Sequence, residues 1–317
     1  MPTVVITRKH LETATVCVLE LAESRGDTLP PFTAGAHIDV HLGEHGIRQY
    51  SLCNAPTERY RYVIAIRREP SSQGGAGWLH ERLQCGDTLT IGTPRNLFAL
   101  HPGPARHLLV AAGIGITPML SMAHALKQRG EEFELHYRIR STAEAAFLPY
   151  LQEHFAGNVR LYADPGSFAR AALPGAASGD KHLYVCGPAR FMTQVIASAR
   201  AQDWPVSNIH REYFSGAALV DEPSSLVASG QFEVQIASSG AIYPVPTHQS
   251  VHAVLEANGI EVPISCGKGI CGACLTGVLS GAVDHRDQVL SEEEQARNDL
   301  FTPCCSRATS ARLVLDL

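Results

Sequence analysis

Four cysteines near the end of the 317-residue sequence have the spacing of ligands to an iron–sulfur cluster. Cys266, Cys271 and Cys274 are separated by four and two residues, and Cys304 follows Cys274 after a further 29 residues. Three thiolates from one loop and a fourth from a distant segment form the ligand set of a plant-type [2Fe–2S] cluster. We therefore predict that these four residues bind such a cluster.

The residues around the cysteines favour an iron–sulfur cluster over structural zinc. Zinc sites commonly use two separate short Cys-x2–4-Cys pairs, whereas Cys266, Cys271 and Cys274 lie in one loop and leave Cys304 without a second short pair of that kind. The loop 266–274 is also richer in glycine than a zinc knuckle requires. Glycine lets the backbone bend around a cluster and point N–H groups at its sulfurs, and the loop contains three: Gly267, Gly269 and Gly272.

The fourth ligand is ambiguous from spacing alone, because Cys304 and Cys305 are adjacent. The plant-type pattern ends in Cys-x-Ser or a close relative, and the chain matches it through Ser306 when Cys304 is the ligand. Neighbouring residues of an extended segment point to opposite faces, so we expect only one of the two sulfurs to reach the iron. Outside this region we expect three cysteines to be small buried hydrophobic residues: Cys17, Cys53 and Cys85.

A second motif is a glycine loop between a predicted buried strand and a helix. The segment HLLVAAGIGITPML has four relevant residues there: Gly113, Gly115, Thr117 and Pro118. Glycine permits close approach of a pyrophosphate, and the helix N-terminus attracts its negative charge. Pro118 suits a first helical turn, where its missing N–H costs nothing. A later strand ends at the same carboxyl edge, where such sheets bind ligands, with Cys186, Gly187 and Pro188.

A third motif combines a cation, an aromatic ring and a hydroxyl group on one predicted strand: Arg48, Tyr50 and Ser51. These side chains suit a phosphate, the face of an isoalloxazine ring and the flavin N5 edge, respectively. A strand with this pattern is commonly an ordinary one when it stands alone. Further along, Arg67 precedes a glycine-rich turn at 74–77 whose N–H groups suit a phosphate.

The predicted elements distribute these motifs over three successive domains. Residues 1–102 consist of short strands separated by turns, which indicates an antiparallel β-barrel that binds the flavin. Strands alternate with helices in 103–222, which is typical of a doubly wound α/β nicotinamide domain. Residues 231–317 combine strands, a short helix and the cysteine-rich loop, and we assign them to an α+β, β-grasp-like ferredoxin domain. The small and polar residues at about 217–230 form the expected linker.

Composition limits the classes of function. Hydrophobic residues make up 45% and charged residues 18% of the chain, as in a globular protein with a sizeable core. The net charge of −5 argues against a nucleic-acid partner. No apolar run approaches the ~18 residues of a membrane span, and the N-terminal segment lacks the features of a secretory signal. Nine cysteines without such a signal favour reduced thiols, so we expect a cytoplasmic protein.

In this combination and order, the motifs resemble those of the phthalate dioxygenase reductase family, which includes vanillate demethylase reductases. The segments concerned are RQYSLCN, the GGAG turn, GIGITP, YVCGP and CGKGICGAC with CCSR. The resemblance covers essentially the whole chain and implies a flavin barrel, a nicotinamide domain and a fused plant-type ferredoxin. It implies FMN as the flavin, NADH as the electron donor and a Rieske-type oxygenase as the acceptor.

The resemblance also implies roles for individual residues. Three would contact the flavin: Arg48, Tyr50 and Ser51. Thr117 would lie near both flavin and nicotinamide, Cys186 near the reactive nicotinamide carbon, and Phe214 over the flavin where nicotinamide enters. Five would surround the ribityl phosphate: Ile66, Arg67, Gly74, Gly75 and Ala76. Ala76 departs from the family's usual Gly-Gly-Ser and deprives the phosphate of a hydroxyl donor.

The three implied cofactors form a chemically necessary series. A nicotinamide gives up two electrons as a hydride, a flavin accepts two and releases them singly, and a [2Fe–2S] cluster takes one. A stand-alone NAD(P)H-dependent quinone, ferric or flavin reductase would have little use for a fused ferredoxin. A non-enzymatic iron–sulfur sensor or binding module would leave the flavin and nicotinamide motifs unexplained. We therefore predict the reductase component of a two-component Rieske-type oxygenase or demethylase.

The choice between NADH and NADPH depends on the region after the second strand of the nicotinamide domain. Many such domains have a carboxylate there, which binds the ribose 2′-OH of NADH. The chain instead has Arg138 and Arg140. These two cations suit a 2′-phosphate, or they pair with Glu134 or Glu144. The resemblance favours NADH.

The ferredoxin segment is acidic, with five Lys and Arg against ten Asp and Glu in 231–317. We predict that its acidic residues form a docking surface for the oxygenase, because electrostatic complementarity mainly affects encounter rate and orientation. Three consecutive glutamates also suit a helix N-terminus, where negative charge is favourable. The candidate docking residues are Asp284, Asp287, Glu292, Glu293, Glu294 and Asp299.

Overall fold

A computed structural model of the chain describes residues 1–68, 75–164, 180–214 and 230–317. The chain divides into two units, Met1–Phe214 and Ser215–Leu317. Gly74 and the predicted linker, apart from Gly230, lie outside the described residues.

The first unit begins with a six-stranded antiparallel sheet. Its strand order is β4-β3-β6-β1-β2-β5, and a bridge between Leu52 and Ile64 joins the two outer strands, so the sheet closes on itself. This confirms the predicted barrel. The strands are β1 (Thr3–Thr13), β2 (Val16–Glu23), β3 (His37–His41), β4 (Ile47–Ser51), β5 (Tyr62–Arg67) and β6 (Thr88–Ile91). A short helix, α1 (Gly75–Glu81), lies between β5 and β6.

Alternation of apolar residues along the barrel strands produces its interior. Every second side chain points inward, and these side chains form one buried cluster that includes Val4, Ile6, Leu19, Leu21, Ile38, Ile64 and Ile66. Helix α1 is fixed at its C-terminus by Lys9, whose Nζ donates to the carbonyl oxygens of Leu79, His80 and Leu83 at 3.2, 2.7 and 2.6 Å. Such a cation suits the negative end of a helix.

A five-stranded parallel sheet follows in the same unit. Its order is β11-β10-β7-β8-β9, and every neighbouring pair is parallel. The alternation of strands and helices confirms the predicted α/β fold. The elements are β7 (Arg106–Ala112), α2 (Ile116–Arg129), β8 (Phe133–Arg138), α3 (Leu148–Phe155), β9 (Val159–Tyr162), β10 (Lys181–Cys186), α4 (Ala189–Arg200) and β11 (Ile209–Glu212). Because parallel strands end at one edge, the loops after β7 and β10 lie side by side.

The second unit has a mixed five-stranded sheet of order β13-β12-β18-β14-β16 and a separate pair, β15 with β17. The central strands β12 and β18 are parallel, and the other pairs are antiparallel. The elements are β12 (Phe232–Ile236), β13 (Ile242–Val245), α5 (Val251–Ala257), β14 (Thr276–Ser280), β15 (Val283–Asp284), α6 (Glu292–Arg297), β16 (Leu300–Phe301), β17 (Arg307–Ala308) and β18 (Arg312–Leu315). The cysteine loop runs from α5 to β14, as predicted for a ferredoxin domain.

Two details of the fold bear on the sequence predictions. Cys17 and Cys53 are buried as expected, but Cys85 is exposed, so the prediction for Cys85 was wrong. Cys85 precedes Gly86, whose φ of +94° marks a turn at the surface between α1 and β6. None of the helices in the described ranges is long and apolar enough to cross a membrane.

Candidate functional site

Strand register brings four side chains from four strands to one place in the first unit. In the β3–β4 pair, His37 lies opposite Ser51, and in the β10–β11 pair, Cys186 lies opposite Glu212. Residues directly opposite each other present their side chains on the same face. The Ser51 hydroxyl donates to Glu212 Oε2 at 3.2 Å, and His37 Nδ1 lies 3.7 Å from Glu212 Oε1. The Glu212 carboxylate therefore lies between a hydroxyl group and an imidazole.

The thiol of Cys186 is fully buried. Burial raises its pKa, and the nearby Glu212 carboxylate raises it further. Cys186 is therefore a neutral thiol rather than a nucleophilic thiolate. The resemblance implies a place for Cys186 near the reactive nicotinamide carbon.

The glycine loop after β7 touches the end of β10. A side chain at Gly115 would bring its Cβ within 2.3 Å of the Cys186 carbonyl oxygen, so only glycine fits this position. The loop is also held from within, because Thr117 Oγ1 donates to the Ile114 carbonyl at 3.0 Å. From β8, the Tyr137 hydroxyl donates to the Gly113 carbonyl at 3.2 Å. Thr117 is buried in this role, as is Pro118 in the first turn of α2.

A cavity of about 620 Å³ opens beside this loop and is lined by Gly113 and Pro188. This volume is within the range of small-molecule and cofactor sites. Its wall also has four arginines and one glutamate: Arg67, Arg138, Arg140, Arg190 and Glu144. Arginine binds phosphate oxygens in a bidentate manner, so the wall fits the pyrophosphate of a dinucleotide. Gly187 lies behind the loop, where an added Cβ would approach Ala112 at 3.0 Å.

The pairing expected for the arginines after β8 differs from the observed one. Glu134 binds Arg160 at 3.0 Å and lies 3.3 Å from His136, so it is directed away from the cavity. Arg138 instead places its guanidinium 5.8 Å from the centre of the Phe191 ring. Glu144 lines the same cavity as Arg138 and provides the carboxylate that the residues immediately after the strand lack.

The residues assigned to the flavin divide into two groups. Tyr50 is half-buried on β4, and burial raises the pKa of its phenol. Arg48 is exposed and lies beside Gly75, where an added Cβ would be 3.6 Å from Arg48 Nε and 2.5 Å from Leu42 Cδ1. A side chain at Gly75 would clash with Leu42, so glycine is required there, and the Arg48 side chain lies beside the position that the resemblance implies for the phosphate. Ala76 follows Gly75 in α1.

Three other assigned residues lie elsewhere than at this phosphate position. The Ile66 side chain is fully buried in the barrel core, and its carbonyl lies 2.8 Å from His80 Nε2. Arg67 lines the 620 Å³ cavity, with Nη1 3.7 Å from the Cβ position of Gly113. Phe214 is 44% exposed and is the last described residue before the gap.

In the second unit, the four cysteines approach one another as two pairs. Cys266 interacts with Cys271, and Cys274 Sγ lies 3.3 Å from Cys304 Sγ. Backbone N–H groups of the loop point at the sulfurs, from Lys268 to Cys266 at 3.3 Å and from Ala273 to Cys271 at 3.5 Å. This arrangement is the one a two-iron cluster needs, because each iron takes two thiolates.

Hydrogen bonding within each pair of thiols favours one thiolate, because it raises the pKa of the other thiol: that of Cys271 in the first pair, and that of Cys304, to about 12, in the second. The interaction with Cys271, together with backbone N–H donors, lowers the pKa of Cys266 to about 5. The pKa of Cys274 is lowered by its interaction with Cys304. The thiolate is the form that binds metal. Within the described part of the chain, no group of three or more His, Cys, Asp or Glu side chains is arranged to hold a single metal ion.

Cys304 and Cys305 lie in a turn rather than in the extended segment that we expected. The two sulfurs therefore do not point to opposite faces, and that reason for choosing Cys304 was wrong. The distinction comes from their partners: Cys304 faces Cys274, whereas Cys305 Sγ lies 3.2 Å from Thr302 Oγ1. Gly269 has φ +69°, and a Cβ there would be 2.4 Å from Cys305 Sγ, so the loop needs glycine at this position.

The six predicted docking residues are not equivalent. Asp287 has a fully buried carboxylate, so its assignment to a surface was wrong. Glu294 forms a capping box with Ser291 at the start of α6, which is the alternative interpretation of the triple glutamate. Asp284 and Asp299 are ion-paired with the neighbouring Arg286 and Arg297. The two remaining residues, Glu292 and Glu293, are exposed.

Comparison with known proteins agrees with this geometry. Residues 234–309 match the model of the 2Fe-2S iron-sulfur cluster binding domain. The chain is 48% identical to a vanillate O-demethylase oxidoreductase of Pseudomonas sp. (strain HR199 / DSM 7063), over 99% of both chains. The crystal structure of phthalate dioxygenase reductase matches 99% of this chain and 97% of its own, at 34% identity and a TM-score of 0.69. The chain belongs to the phthalate dioxygenase reductase family.

Members of this family are reductase components of oxygenase systems, and the chain is an NADH-dependent flavin iron–sulfur oxidoreductase that uses FMN and a [2Fe–2S] cluster. A further match is an intact type IV self-sufficient cytochrome P450 monooxygenase, at 36% identity and a TM-score of 0.88. It covers all of this chain, but the chain spans 41% of the P450 protein.

Sequence reasoning assigned no role to Glu212 or His37, although both lie at the site with Ser51 and Cys186. Glu212 precedes Phe214 by two residues at the end of a strand. A carboxylate so close to the predicted site residue Phe214 was the feature of the sequence that could have pointed to Glu212. His37 had no such signal, because its place depends on the pairing of β3 with β4.

Proposed function

We propose that this protein transfers electrons from NADH through FMN and the [2Fe–2S] cluster to a Rieske-type oxygenase or demethylase. One observation supports this most strongly. A single chain combines a hydrogen-bonded group of Ser51 and Glu212 beside Cys186 with paired thiols around Cys274 and Cys304. Bound FMN would accept the two electrons of a hydride together and pass them singly to the cluster.

In this proposal the first unit orients the hydride donor. The arginines of the 620 Å³ cavity bind the dinucleotide, and Gly113 and Gly115 leave room for its close approach. Buried Cys186 packs beside the reactive ring and excludes water. The Ser51 hydroxyl donates a hydrogen bond to Glu212, and its oxygen is then available to accept a hydrogen bond at the flavin edge. Tyr50 supports the flavin face, and the exposed ring of Phe214 is the movable cover where nicotinamide enters.

The second unit holds the cluster through Cys266, Cys271, Cys274 and Cys304. Backbone donors around the loop stabilise the negative charge of the sulfurs. We retain the division into a flavin barrel at 1–102, a nicotinamide domain at 103–222 and a ferredoxin domain at 231–317. A cytoplasmic site follows from the use of NADH and of reduced cysteines.

Removal of the ferredoxin segment tests this sequence of transfers. A chain ending at Ser229 should keep its flavin and oxidise NADH with ferricyanide, which takes electrons from the flavin directly. It should lose reduction of cytochrome c, a one-electron acceptor that the cluster serves. The matched control is the full chain with Cys85→Ser, which changes an exposed cysteine and should leave both activities intact. Undiminished cytochrome c reduction by the shortened chain would contradict a role of the cluster.

A haem acceptor is the second candidate partner, because the 36% identical chain with the higher TM-score is a cytochrome P450 monooxygenase. The two partners are distinguished by stopped-flow reduction with NADH in the presence of either a Rieske-type oxygenase component or a P450 haem protein. Preferential reduction of the Rieske centre supports the proposal. Preferential reduction of the haem, with a Rieske centre left oxidised, favours the second candidate.

We propose that the oxygenase docks at the acidic face of the second unit, with Glu293 as an exposed contributor. Attraction between exposed charges weakens as the Debye length falls from about 10 Å at 0.1 M salt to about 3 Å at 1 M. Coupled turnover should therefore fall with salt, and Glu293→Lys should slow it at low salt. Glu294 is left unchanged because it caps α6.

The control for this surface is Glu256→Lys on α5, another exposed glutamate of the same unit, far along the chain from α6. It should leave coupled turnover close to that of the wild type. NADH–ferricyanide activity needs no docking by this unit and should not respond to either substitution. If Glu293→Lys supports coupled turnover at the wild-type rate at every salt concentration, the acidic face is a solvated surface and not a docking site.

A further inference from the structure

Asp287 has a carboxylate that is completely shielded from solvent and held by three donors. The Leu290 N–H donates to Oδ2 at 2.9 Å, the Ser306 hydroxyl donates to Oδ1 at 3.3 Å, and His285 Nδ1 lies 3.2 Å from Oδ1. An ionised carboxylate only accepts hydrogen bonds, and hydrogen bonds of this kind stabilise its charge. The side chain is therefore a fixed negative charge inside the second unit.

This charge lies next to the cysteine loop. The Gly269 carbonyl, in the middle of the loop, accepts from Gln288 N at 2.9 Å and Val289 N at 3.2 Å. A Cβ at Gly269 would lie 2.9 Å from Asp287 Cα. The backbone that carries Asp287 thus packs directly against the loop that carries the first three thiols.

The same carboxylate also holds the segment with the fourth thiol. Ser306 follows Cys304 by two residues, and its hydroxyl both donates to Asp287 and accepts from the Arg286 N–H at 3.1 Å. Thr302 Oγ1 lies 2.9 Å from the Ser306 hydroxyl and 3.2 Å from Cys305 Sγ. Asp287 is therefore the common partner of both segments that supply thiols.

The neighbouring arginines are engaged with other groups. Arg286 is paired with Asp284 at 2.6 Å, and Arg307 donates to the carbonyl oxygens of Gln249 and Pro246 at 2.7 and 3.0 Å. Arg307 also stacks on Phe232, with 5.0 Å between the guanidinium and the ring centre. The Asp287 charge therefore acts on the cysteine loop from a site where the direct donors are the Leu290 N–H, Ser306 and His285.

We propose that Asp287 is a positioning residue for the iron–sulfur site and that its charge lowers the reduction potential of the cluster. Reduction adds one electron to the cluster, and a fixed negative charge close by in a region of low dielectric disfavours the added charge. The inference rests on the proposed ligand set of Cys266, Cys271, Cys274 and Cys304. It adds a residue whose carboxylate is buried beside the ligand loop and is not itself one of the four ligands.

The test is a redox titration of the full-length protein, with the cluster followed by its visible and paramagnetic resonance spectra. Asp287→Asn keeps the shape and one acceptor oxygen but removes the charge. We expect wild-type iron and sulfide content and an approximately tenfold higher ratio of reduced to oxidised cluster at a given solution potential. For a one-electron couple this equals about 59 mV. An unchanged ratio in a cluster-containing variant would overturn the electrostatic part of the proposal.

Asp284→Asn is the matched control, because it removes a carboxylate from the same segment that is partly exposed and paired with Arg286. Its reduced-to-oxidised ratio should equal that of the wild type, and a shift as large as that of Asp287→Asn would overturn the assignment to Asp287. Asp287→Ala removes all three hydrogen bonds and should lose iron and sulfide. Full retention of iron and sulfide by this variant would overturn the positioning role.

Ser306→Ala decides the matter if Asp287→Asn does not retain its cluster. It leaves the charge in place but removes one donor, so the reduced-to-oxidised ratio should shift in the opposite direction, towards oxidised cluster. A ratio that is unchanged or shifted towards reduced cluster would overturn the proposal. Absence of iron and sulfide from the wild-type protein would instead contradict the proposed function, and the two failures are therefore distinguishable.

Discussion

The two proposed redox sites of the molecule, the cluster site of the cysteines and the hydride site around Ser51 and Glu212, are built in opposite ways. The cluster site takes three of its four thiols from residues 266–274, and a glycine-rich loop holds them. The hydride site instead takes single side chains from β3, β4, β10 and β11, and its central hydrogen bond joins residues 161 positions apart. A site of the first kind is visible in the spacing of a sequence, whereas one of the second kind exists only once the strands have paired.

The same residue type also behaves differently at the two sites. At the cluster, interaction with Cys271 and backbone donors lower the pKa of Cys266 to about 5, while the same interaction raises the pKa of Cys271. At the hydride site, burial and then Glu212 raise the pKa of Cys186. A metal ligand must be a thiolate, whereas Cys186, which we propose to lie near the nicotinamide, is a neutral thiol.

Substitution of the fourth thiol should give the largest effect and sharpen this comparison. Cys304→Ser removes the partner of Cys274, so we expect the visible spectrum of the cluster to be lost or grossly altered. Cys305→Ser is the matched control, because its sulfur bonds to Thr302 instead, and it should keep the spectrum nearly unchanged. The measurements are iron content and visible absorption. The reverse result would move the ligand position by one residue.

At the hydride site, Glu212→Gln should slow the reduction of bound flavin by NADH in single-turnover experiments. The amide keeps the shape of the side chain but loses the charged acceptor of the Ser51 hydroxyl. Loss of a hydrogen bond to a charged group costs about 1.5–3 kcal/mol, which corresponds to a 10- to 100-fold slower step.

A control for this substitution is Glu134→Gln, which changes a glutamate of β8 that binds Arg160 away from the cavity. It should leave the rate of flavin reduction unchanged. A wild-type rate of flavin reduction in Glu212→Gln would show that the carboxylate next to Ser51 has no role in the reaction. The two sites would then differ only in how their residues are brought together.

Much of the fold was predictable, because alternation of apolar residues reports strands and a mixed strand–helix order reports a parallel sheet. The barrel, the α/β sheet and the ferredoxin segment were all expected from these patterns. The cluster ligands were expected for a different reason: three of the four cysteines lie within nine residues, so their spacing is visible in the sequence. The exposure of Cys85 was not, because a single cysteine in a turn carries no periodic signal.

Long-range contacts account for what the sequence did not reveal. The role of Glu212 depends on β11 pairing with β10, and the role of His37 depends on β3 pairing with β4. Asp287 was assigned to an acidic surface because composition does not report burial. The turn at 303–305 was taken for an extended segment, since a run of Pro, Cys and Cys fits either geometry.

A smaller effect concerns the choice of electron donor. We expect a higher kcat/KM for NADH than for NADPH, because Glu144 lines the cavity and repels a 2′-phosphate. Glu144→Gln should raise kcat/KM for NADPH about fivefold, which corresponds to about 1 kcal/mol of screened repulsion. The rate with NADH should change less. A wild-type preference for NADPH would show that Arg138 and Arg140 determine the donor instead.

The smallest effect should come from a group of histidines on the same face of the parallel sheet as Cys186. His182 Nδ1 lies 3.0 Å from His210 Nε2, and the His182 ring stacks on His101 at 4.0 Å. Burial first, and then the charges of the neighbouring histidines, including His107, together lower the pKa of His182 and of His210 to about 4. A lowered pKa in the folded state means that the unfolded chain binds protons more readily.

Stability should therefore be complete above pH of about 6.5, the ordinary histidine value, and should decline as the pH falls towards about 4. Between pH 7 and pH 6, one such histidine shifts the unfolding equilibrium constant about threefold. Urea unfolding of wild type and His182→Asn at both values tests this. The variant loses the stacking with His101, so it should be less stable than the wild type at pH 7. Between pH 7 and pH 6, however, its unfolding equilibrium constant should rise about threefold less than that of the wild type. An equal loss of stability in both proteins would mean that other groups bind the protons, and that the histidines on this face of the sheet do not make the stability depend on pH.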